Sequence, residues 1–408
     1  MPSHPPRIGF WGNFGTRNLG NECTLRAILH QARARRPDAE LACYCSEPED
    51  VERRHGIRSF PLSRTRGRAA GGPLPLRLAR RLGSELRGWR DALAHARRTD
   101  LLVMTGTGML TDDGEGVLGL PYDLFRWAVA ARLTGCRVAF ASVGVEAIRH
   151  PLARFFIRTA LRLADLRSYR DQQSRERLRR AGFFSDRDAV FPDLAFSLPE
   201  DLVRAPGAAG GSRVAVGLYA YRGRGEAGGA DAAAYGDYLG KMCALVLQLR
   251  RQGRAVRVII GDNTYDEPVL EDFRRALAER GIDREKEGIQ DRPAASFEEL
   301  MGQLAGVDLV VASRFHNVLL ALLLGKPVVS ISYNQKNDAL MEEMGLGAYC
   351  QAIDGFDVER VVAQVASLEG EAARLMPAVA GRAARYRAEL DALYQGLLGT
   401  GARPPAAG

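Results

Sequence analysis

From residue 7 onward the chain alternates two hydrophobic patterns. Short apolar runs rich in β-branched residues, as in strands buried on both faces, are separated by longer stretches. In those stretches apolar residues recur three and four apart, as on one face of a helix. The pattern predicts strands over residues 7–12, 40–45, 100–105, 137–143, 166–169 and 188–191, and helices over 22–35, 121–133, 152–164 and 172–181. It then lapses. Leu198-Pro199-Glu200-Asp201 and Ala205-Pro206-Gly207-Ala208-Ala209-Gly210-Gly211 lack any period and combine chain breakers, as linkers do. Alternation resumes with strands over 213–220, 256–261, 308–311 and 327–332, and helices over 232–251, 267–280, 297–305, 318–324 and 338–344.

Strands alternating with helices imply mostly parallel sheets covered on both faces. The predicted fold is therefore α/β, with two doubly wound, Rossmann-like domains facing a cleft. The first covers residues 1–198, a linker 199–212, and the second 213–357. A last helical periodicity over 358–398 suits helices packing back across both domains, and 399–408 reads as a disordered tail.

A chain of 46% hydrophobic and 26% charged residues is an ordinary globular one, and no run is apolar enough to span a bilayer. The start, Met1-Pro2-Ser3-His4-Pro5-Pro6, lacks an apolar signal core, so a cytoplasmic location is expected. Six cysteines scattered through predicted elements read as buried thiols rather than a disulfide framework. Cys43 and Cys45 fit the alternation of a strand better than a ligand pair. No cluster suggests a metal, and none is predicted.

The net charge of +8 is concentrated. Residues 64–98 hold ten arginines against Glu85 and Asp91, which leaves the rest of the chain formally neutral. With Leu74, Leu76, Leu78, Leu82, Leu86, Trp89 and Leu93 among those arginines, the segment predicts a basic amphipathic insertion. Such a helix can rest on the inner face of an anionic membrane, or pack its apolar stripe on its own domain. No nucleic-acid reader motif accompanies the charge, so nucleic acid is not expected as a partner.

Several predicted strands end in residues that carry chemistry. Gly12-Asn13-Phe14-Gly15-Thr16-Arg17-Asn18-Leu19-Gly20-Asn21-Glu22 joins the first strand to a helix, and its glycines allow positive φ and close backbone approach. A helix start there also offers free N–H groups to an anion, although the glycine spacing misses the dinucleotide fingerprint. Thr105-Gly106-Thr107-Gly108 with Asp112-Asp113 follows the strand at 100–105. Gly106 and Gly108 let a substrate approach the backbone. Asp113 suits a base or positioner for a sugar hydroxyl, with a turn or cap role as the alternative. Arg170, after the strand at 166–169, suits an anion clamp or an internal pair with Asp171 or Asp193. Ser313-Arg314-Phe315-His316-Asn317 follows the strand at 308–311. It sets a bidentate cation beside an imidazole, as an anionic substrate that must exchange a proton requires. Lys336 follows the next strand as a further anion contact.

The order of these motifs is more specific than any one of them. Asn-Leu-Gly-Asn-Glu at 18–22, Gly-Thr-Gly with Asp113, Tyr-Arg-Asp-x-x-Ser at 169–174, Pro-Asp-Leu-Ala-Phe at 192–196, Ser-Arg-Phe-His at 313–316 and Gly-Lys-Pro…Ser-Tyr-x-x-Lys at 325–336 together resemble the polysaccharide pyruvyl transferase family. The resemblance runs from about residue 7 to 346. It implies a GT-B-like fold and transfer of a pyruvyl group from phosphoenolpyruvate onto two hydroxyls of a saccharide, in that family usually a surface-polysaccharide precursor. Phosphoenolpyruvate is then the donor substrate, and no cofactor is expected. His316 and Asp113 are the expected catalytic residues. Arg314, Arg170, Lys336, Asn13, Gly15, Asn18, Gly20, Asn21, Glu22, Gly106, Gly108 and Asn317 are the expected substrate contacts. The first domain would take the acceptor and the second the donor. The chain departs from the family's usual pattern at Asn21, where Asp is usual, and at Thr107, where Gly is usual. Two other readings compete: a nucleotide-sugar glycosyltransferase on the same architecture, and a non-catalytic binding protein of envelope assembly.

Overall fold

The computed structural model describes residues 4–62, 74–106, 108–112, 116–183, 188–203, 212–221 and 231–399. Its contacts divide the chain into two units. The first comprises Met1–Thr16, Thr24–Ser197 and Ala388–Gly408, the second Arg17–Cys23 and Leu198–Arg387.

In the first unit the elements run β1 (Arg7–Trp11), α1 (Leu19–Arg35), β2 (Glu40–Cys45), α2 (Pro48–His55), β3 (Arg58–Pro61), α3 (Leu74–Ala96), β4 (Leu101–Thr105), α4 (Leu120–Thr134), β5 (Arg137–Val143), α5 (Pro151–Leu163), β6 (Leu166–Tyr169), α6 (Gln172–Arg180) and β7 (Ala189–Val190). Among the described residues the strands form one parallel sheet in the order β3-β2-β1-β4-β5-β6-β7. The first five residues of α1 group with the second unit. β4 is buried along its whole length, as a central strand covered on both faces must be. Tyr44 and Trp127 pack ring to ring beside it, 4.6 Å apart between centroids.

The second unit is built from α7 (Glu200–Val203), β8 (Arg213–Gly217), α8 (Ala232–Arg251), β9 (Ala255–Ile259), α9 (Glu267–Glu279), β10 (Ile289–Gln290), α10 (Phe297–Ala305), β11 (Leu309–Ala312), α11 (Phe315–Leu323), β12 (Val328–Ser332), α12 (Gln335–Glu343), β13 (Cys350–Ala352) and α13 (Val358–Leu398). Its described strands form a second parallel sheet, β10-β9-β8-β11-β12-β13. Residues 358–387 of α13 group with this unit and 388–398 with the first. There the buried Tyr394 hydroxyl lies 2.8 Å from Ser197 Oγ.

The two parallel α/β sheets are those the periodicity predicts. The differences are local. α2 and β3 escape the hydrophobic pattern because α2 buries only Val51 and His55 of its eight residues, and β3 is a short edge strand. β10 and β13 are edge strands of two and three residues, too short to leave a period. The predicted linker begins with a turn of helix, α7, and its residues 204–211 lie outside the described residues, as do 400–408 of the predicted tail. All six cysteines are free, and every one but the half-buried Cys350 is buried.

One buried ion pair shows how the first unit joins its helices. The Arg126 side chain is 2% exposed, donates to Asp123 Oδ1 at 2.6 Å, and has Glu85 of α3 at 3.7 Å. Replacing Asp123 with Ala leaves the guanidinium with the more distant, half-exposed Glu85 as its nearest carboxylate, beside a long bond to the Leu62 carbonyl. The expected loss is about 3 kcal/mol of stability, read by denaturant unfolding.

Candidate active site

In an open parallel sheet the loops from two neighbouring strands run in opposite directions where the strand order reverses, and a crevice opens there at the carboxyl ends. In the second unit this point lies between β8 and β11. Tyr219 follows β8, and Ser313 and Arg314 follow β11. The Arg314 guanidinium carbon sits 4.7 Å from the centroid of the Tyr219 ring, and that ring stacks on Tyr333, after β12, at 4.2 Å.

Arg314 is fixed by a carboxylate from the loop after β9. Its Nε donates to Asp266 Oδ2 at 2.8 Å and its Nη2 to Oδ1 at 2.6 Å, the paired geometry that suits a guanidinium. Asp266 is fully buried and also accepts from the backbone N–H of Ala220. Burial disfavours the charge on Arg314, but the Asp266 hydrogen bonds outweigh it, so its pKa is raised and it stays a cation. Nη1 has no hydrogen-bond partner among the described residues and is left as a donor on a side chain 19% exposed. Arg314 stands at the N-cap of α11 in extended backbone, which puts His316 in the first turn of that helix. The turn is held from α12, where the buried Asn337 amide donates to the Ser313 carbonyl at 2.6 Å.

The segment 17–23 completes this unit. Asn18 Oδ1 accepts from the Asn21 N–H at 3.1 Å, capping α1, and its Nδ2 donates to Asp262 Oδ2 at 2.7 Å. Backbone bonds from Leu19 N to Gly261 O and from Asn263 N to Arg17 O tie the same segment to the loop after β9. Gly20 lies flat against His316: a Cβ there would overlap the imidazole, nearest Nδ1. Gly261 similarly approaches Asn317, whose Oδ1 would lie 2.7 Å from an added Cβ.

The expected contacts therefore sort into groups. Arg314 and His316 share one carboxyl edge with Tyr219 and Tyr333, and Lys336 occupies the first turn of α12 at that edge, half-buried. Of the other expected contacts, Asn18 caps α1 and Gly20 seats His316, while Asn21 and Glu22 are buried in the first turn of α1. Asn317 is fully buried, and neither polar atom of its amide has a hydrogen-bond partner among the described residues.

In the first unit Arg170 has both of the internal partners that the sequence offers as an alternative to an anion clamp. Its side chain is 4% exposed and lies 3.4 Å from Asp193 and 3.5 Å from Asp171. Asn13 accepts from Ser46, and Gly15, at φ 79°, lies against Glu47, so both shape the turn after β1. Gly106, at φ 150°, and Gly108, beside Glu146, follow β4 at the β1/β4 reversal of the first sheet. Thr107 and Asp113 lie outside the described residues. Asp112 caps the turn ahead of α5, accepting from the N–H groups of Arg149 and His150.

Sequence reasoning missed Asp262 and Asp266. Their signal is Gly261-Asp262-Asn263-Thr264-Tyr265-Asp266, a Gly/Asp/Asn loop ending a strand, the same kind of run that drew attention to residues 12–22.

A family model described as polysaccharide pyruvyl transferase matches residues 18–335. No match was found among curated proteins. Solved structures share the fold. A glycosyltransferase from Rickettsia africae is 10% identical, with 97% of this chain and 99% of that one covered and a TM-score of 0.58. UDP-GlcNAc 2-epimerase from Neisseria meningitidis, bound to UDP-GlcNAc, is 9% identical over 94% and 98%, with a TM-score of 0.56. The same enzyme from Methanocaldococcus jannaschii is 10% identical over 88% and 92%, with a TM-score of 0.54. At these identities the likeness is one of fold, a GT-B-like pair of parallel α/β domains.

Gly20→Ala drives a methyl into the imidazole and is expected to cost about 1–3 kcal/mol, read as a lowered unfolding midpoint. Asp262 supplies a pH test. Burial, only partly opposed by Arg314 and the Thr264 and Tyr265 N–H groups, raises its pKa above the unfolded value. The folded state thus holds this proton longer than the unfolded chain, and the group's contribution to stability falls as pH rises from about 3.9 through its folded pKa. The wild-type advantage over Asp262→Asn should shrink with rising pH across that window. A difference that stays flat or grows would contradict the shift.

Proposed function

The chain belongs to the polysaccharide pyruvyl transferase family and is a transferase, and from that premise we propose that it moves a pyruvyl group from phosphoenolpyruvate onto two hydroxyls of a saccharide. The product is a cyclic ketal destined for surface polysaccharide or glycoconjugate. The observation that carries this reading is a guanidinium pinned at the β8/β11 reversal, with a spare N–H edge, two residues from an imidazole on the same turn.

The donor carries a carboxylate and a phosphate. Arg314 is already neutralised by Asp266, so it contributes directed N–H donors more than net charge. Lys336, an ammonium at the same sheet edge, is the proposed countercharge for the phosphate. His316 as imidazolium delivers a proton to the methylene carbon, and the adjoining carbon becomes electrophilic. One saccharide hydroxyl oxygen bonds to that carbon and the carbon–oxygen bond to phosphate breaks. A second hydroxyl then closes the ketal. Of the two hydroxyl protons, one replaces the proton His316 gave to the new methyl group and the other leaves on inorganic phosphate. Asp113 is the proposed base for an attacking hydroxyl.

The test is release of inorganic phosphate from phosphoenolpyruvate that depends on a saccharide acceptor. His316→Ala and Arg314→Ala should each lower it by about a thousandfold. Asp266→Asn should act mainly by raising KM for phosphoenolpyruvate, because it releases Arg314 rather than removing it. Full activity in either alanine variant would overturn the role given to that residue. Protection against thermal unfolding by a nucleotide sugar and not by phosphoenolpyruvate would overturn the donor.

A further inference from the structure

The helix layer α3-α4-α5 of the first unit carries an apolar ridge on a basic ground. α4 packs between α3 and α5. On α3, Leu82, Leu86, Trp89 and Leu93 fall on one stripe, at steps of three and four residues. Leu93 packs into the core, but Leu82 and Leu86 are 66% and 73% exposed, so the stripe continues past the part of the domain that covers it. The Trp89 ring meets Phe125 of α4 at 6.2 Å, and Phe125 meets Phe155 of α5 at 6.1 Å. Phe155 is 55% exposed, and Leu152, one turn before it, is 41% exposed. The ridge therefore runs unbroken across three helices.

Charge favours one occupant. α5 carries Arg154, Arg158 and Arg162 and no acidic residue, and all three arginines are exposed. Arg158 and Arg162 lie one and two turns from Phe155 on the same helix face. α3 adds the exposed Arg77, Arg80, Arg81, Arg87 and Arg90 against Glu85 and Asp91, and Asp91 is paired with Arg90. The only acid of α4, Asp123, is buried against Arg126. Exposed leucine and phenylalanine, a tryptophan whose indole N–H bonds the Tyr122 hydroxyl, and flanking arginines form the combination that seats in the headgroup layer of an anionic bilayer. No helix among the described residues is long and apolar enough to cross a membrane, so contact of this kind is peripheral.

We propose that the α3-α4-α5 face of the first unit docks on an anionic lipid surface, with Leu82, Leu86 and Phe155 entering the interface and the arginines of α3 and α5 holding lipid headgroups. This does not depend on the reaction proposed above.

The test is sedimentation with phosphatidylcholine vesicles containing about one-third phosphatidylglycerol, beside vesicles of phosphatidylcholine alone. The wild-type chain should pellet with the anionic vesicles only, and be released by about 0.5 M salt. Arg154→Gln with Arg158→Gln and Arg162→Gln should weaken partitioning by about a hundredfold. Leu82→Ser with Leu86→Ser should weaken it as well; these side chains are exposed, so circular dichroism should show both variants folded. Intrinsic fluorescence gives a second readout. Trp11 and Trp127 are buried and Trp89 is half-buried, so a blue shift on anionic vesicles reports this face. Wild-type chain left in the supernatant with anionic vesicles, or equal pelleting on both vesicle types, would overturn the proposal. So would a dimer in solution that the leucine variants dissolve, because a second copy would then cover the ridge.

Discussion

The paired hydrogen bond between Arg314 and Asp266 is the constraint on which the second unit's carboxyl edge depends. A carboxylate with no exposed surface is costly unless it is fully bonded, and Asp266 meets that cost with a guanidinium and backbone N–H donors. The same contact immobilises Arg314 over Tyr219, sets the turn that begins α11, and so places His316. Because His316 in turn rests on Gly20, the start of α1 is drawn into this arrangement.

That dependence explains what the sequence could and could not disclose. Alternating patterns disclosed both sheets, because burial of a strand on two faces leaves an apolar run in any sequence. The Arg-x-His turn was legible for the same reason: a strand and an apolar helix bracket it. Helix starts were less legible. α1 begins at Leu19 rather than 22, and α12 at Gln335 rather than 338, since Asn18 and Asn334 cap first turns that are mostly polar. Hydrophobic periodicity is silent there, and the cap residue is the only mark. The Asp266 partnership was illegible, because it joins residues 48 apart in the chain through a loop with no period.

Arg170 and Asn18 illustrate a further limit. Both sit where a ligand residue would sit, at a strand end and in a Gly/Asn loop. Each has internal partners: Arg170 lies between two carboxylates, and Asn18 joins a helix cap to Asp262. Residue type and position are shared by a ligand contact and a structural one, and only the partner separates them.

The same distinction organises the charge of the whole chain. Several arginines within the two units are matched to acids: Arg126 with Asp123, Arg167 with Asp188, Arg254 with Glu369, Arg314 with Asp266. Such pairs nearly cancel at a distance and project little field, which agrees with a formally neutral remainder outside residues 64–98. The exposed arginines of α3 far outnumber its two acids, and those of α5 have none on their own helix. Net charge therefore says less about this protein than where the unmatched share of it lies.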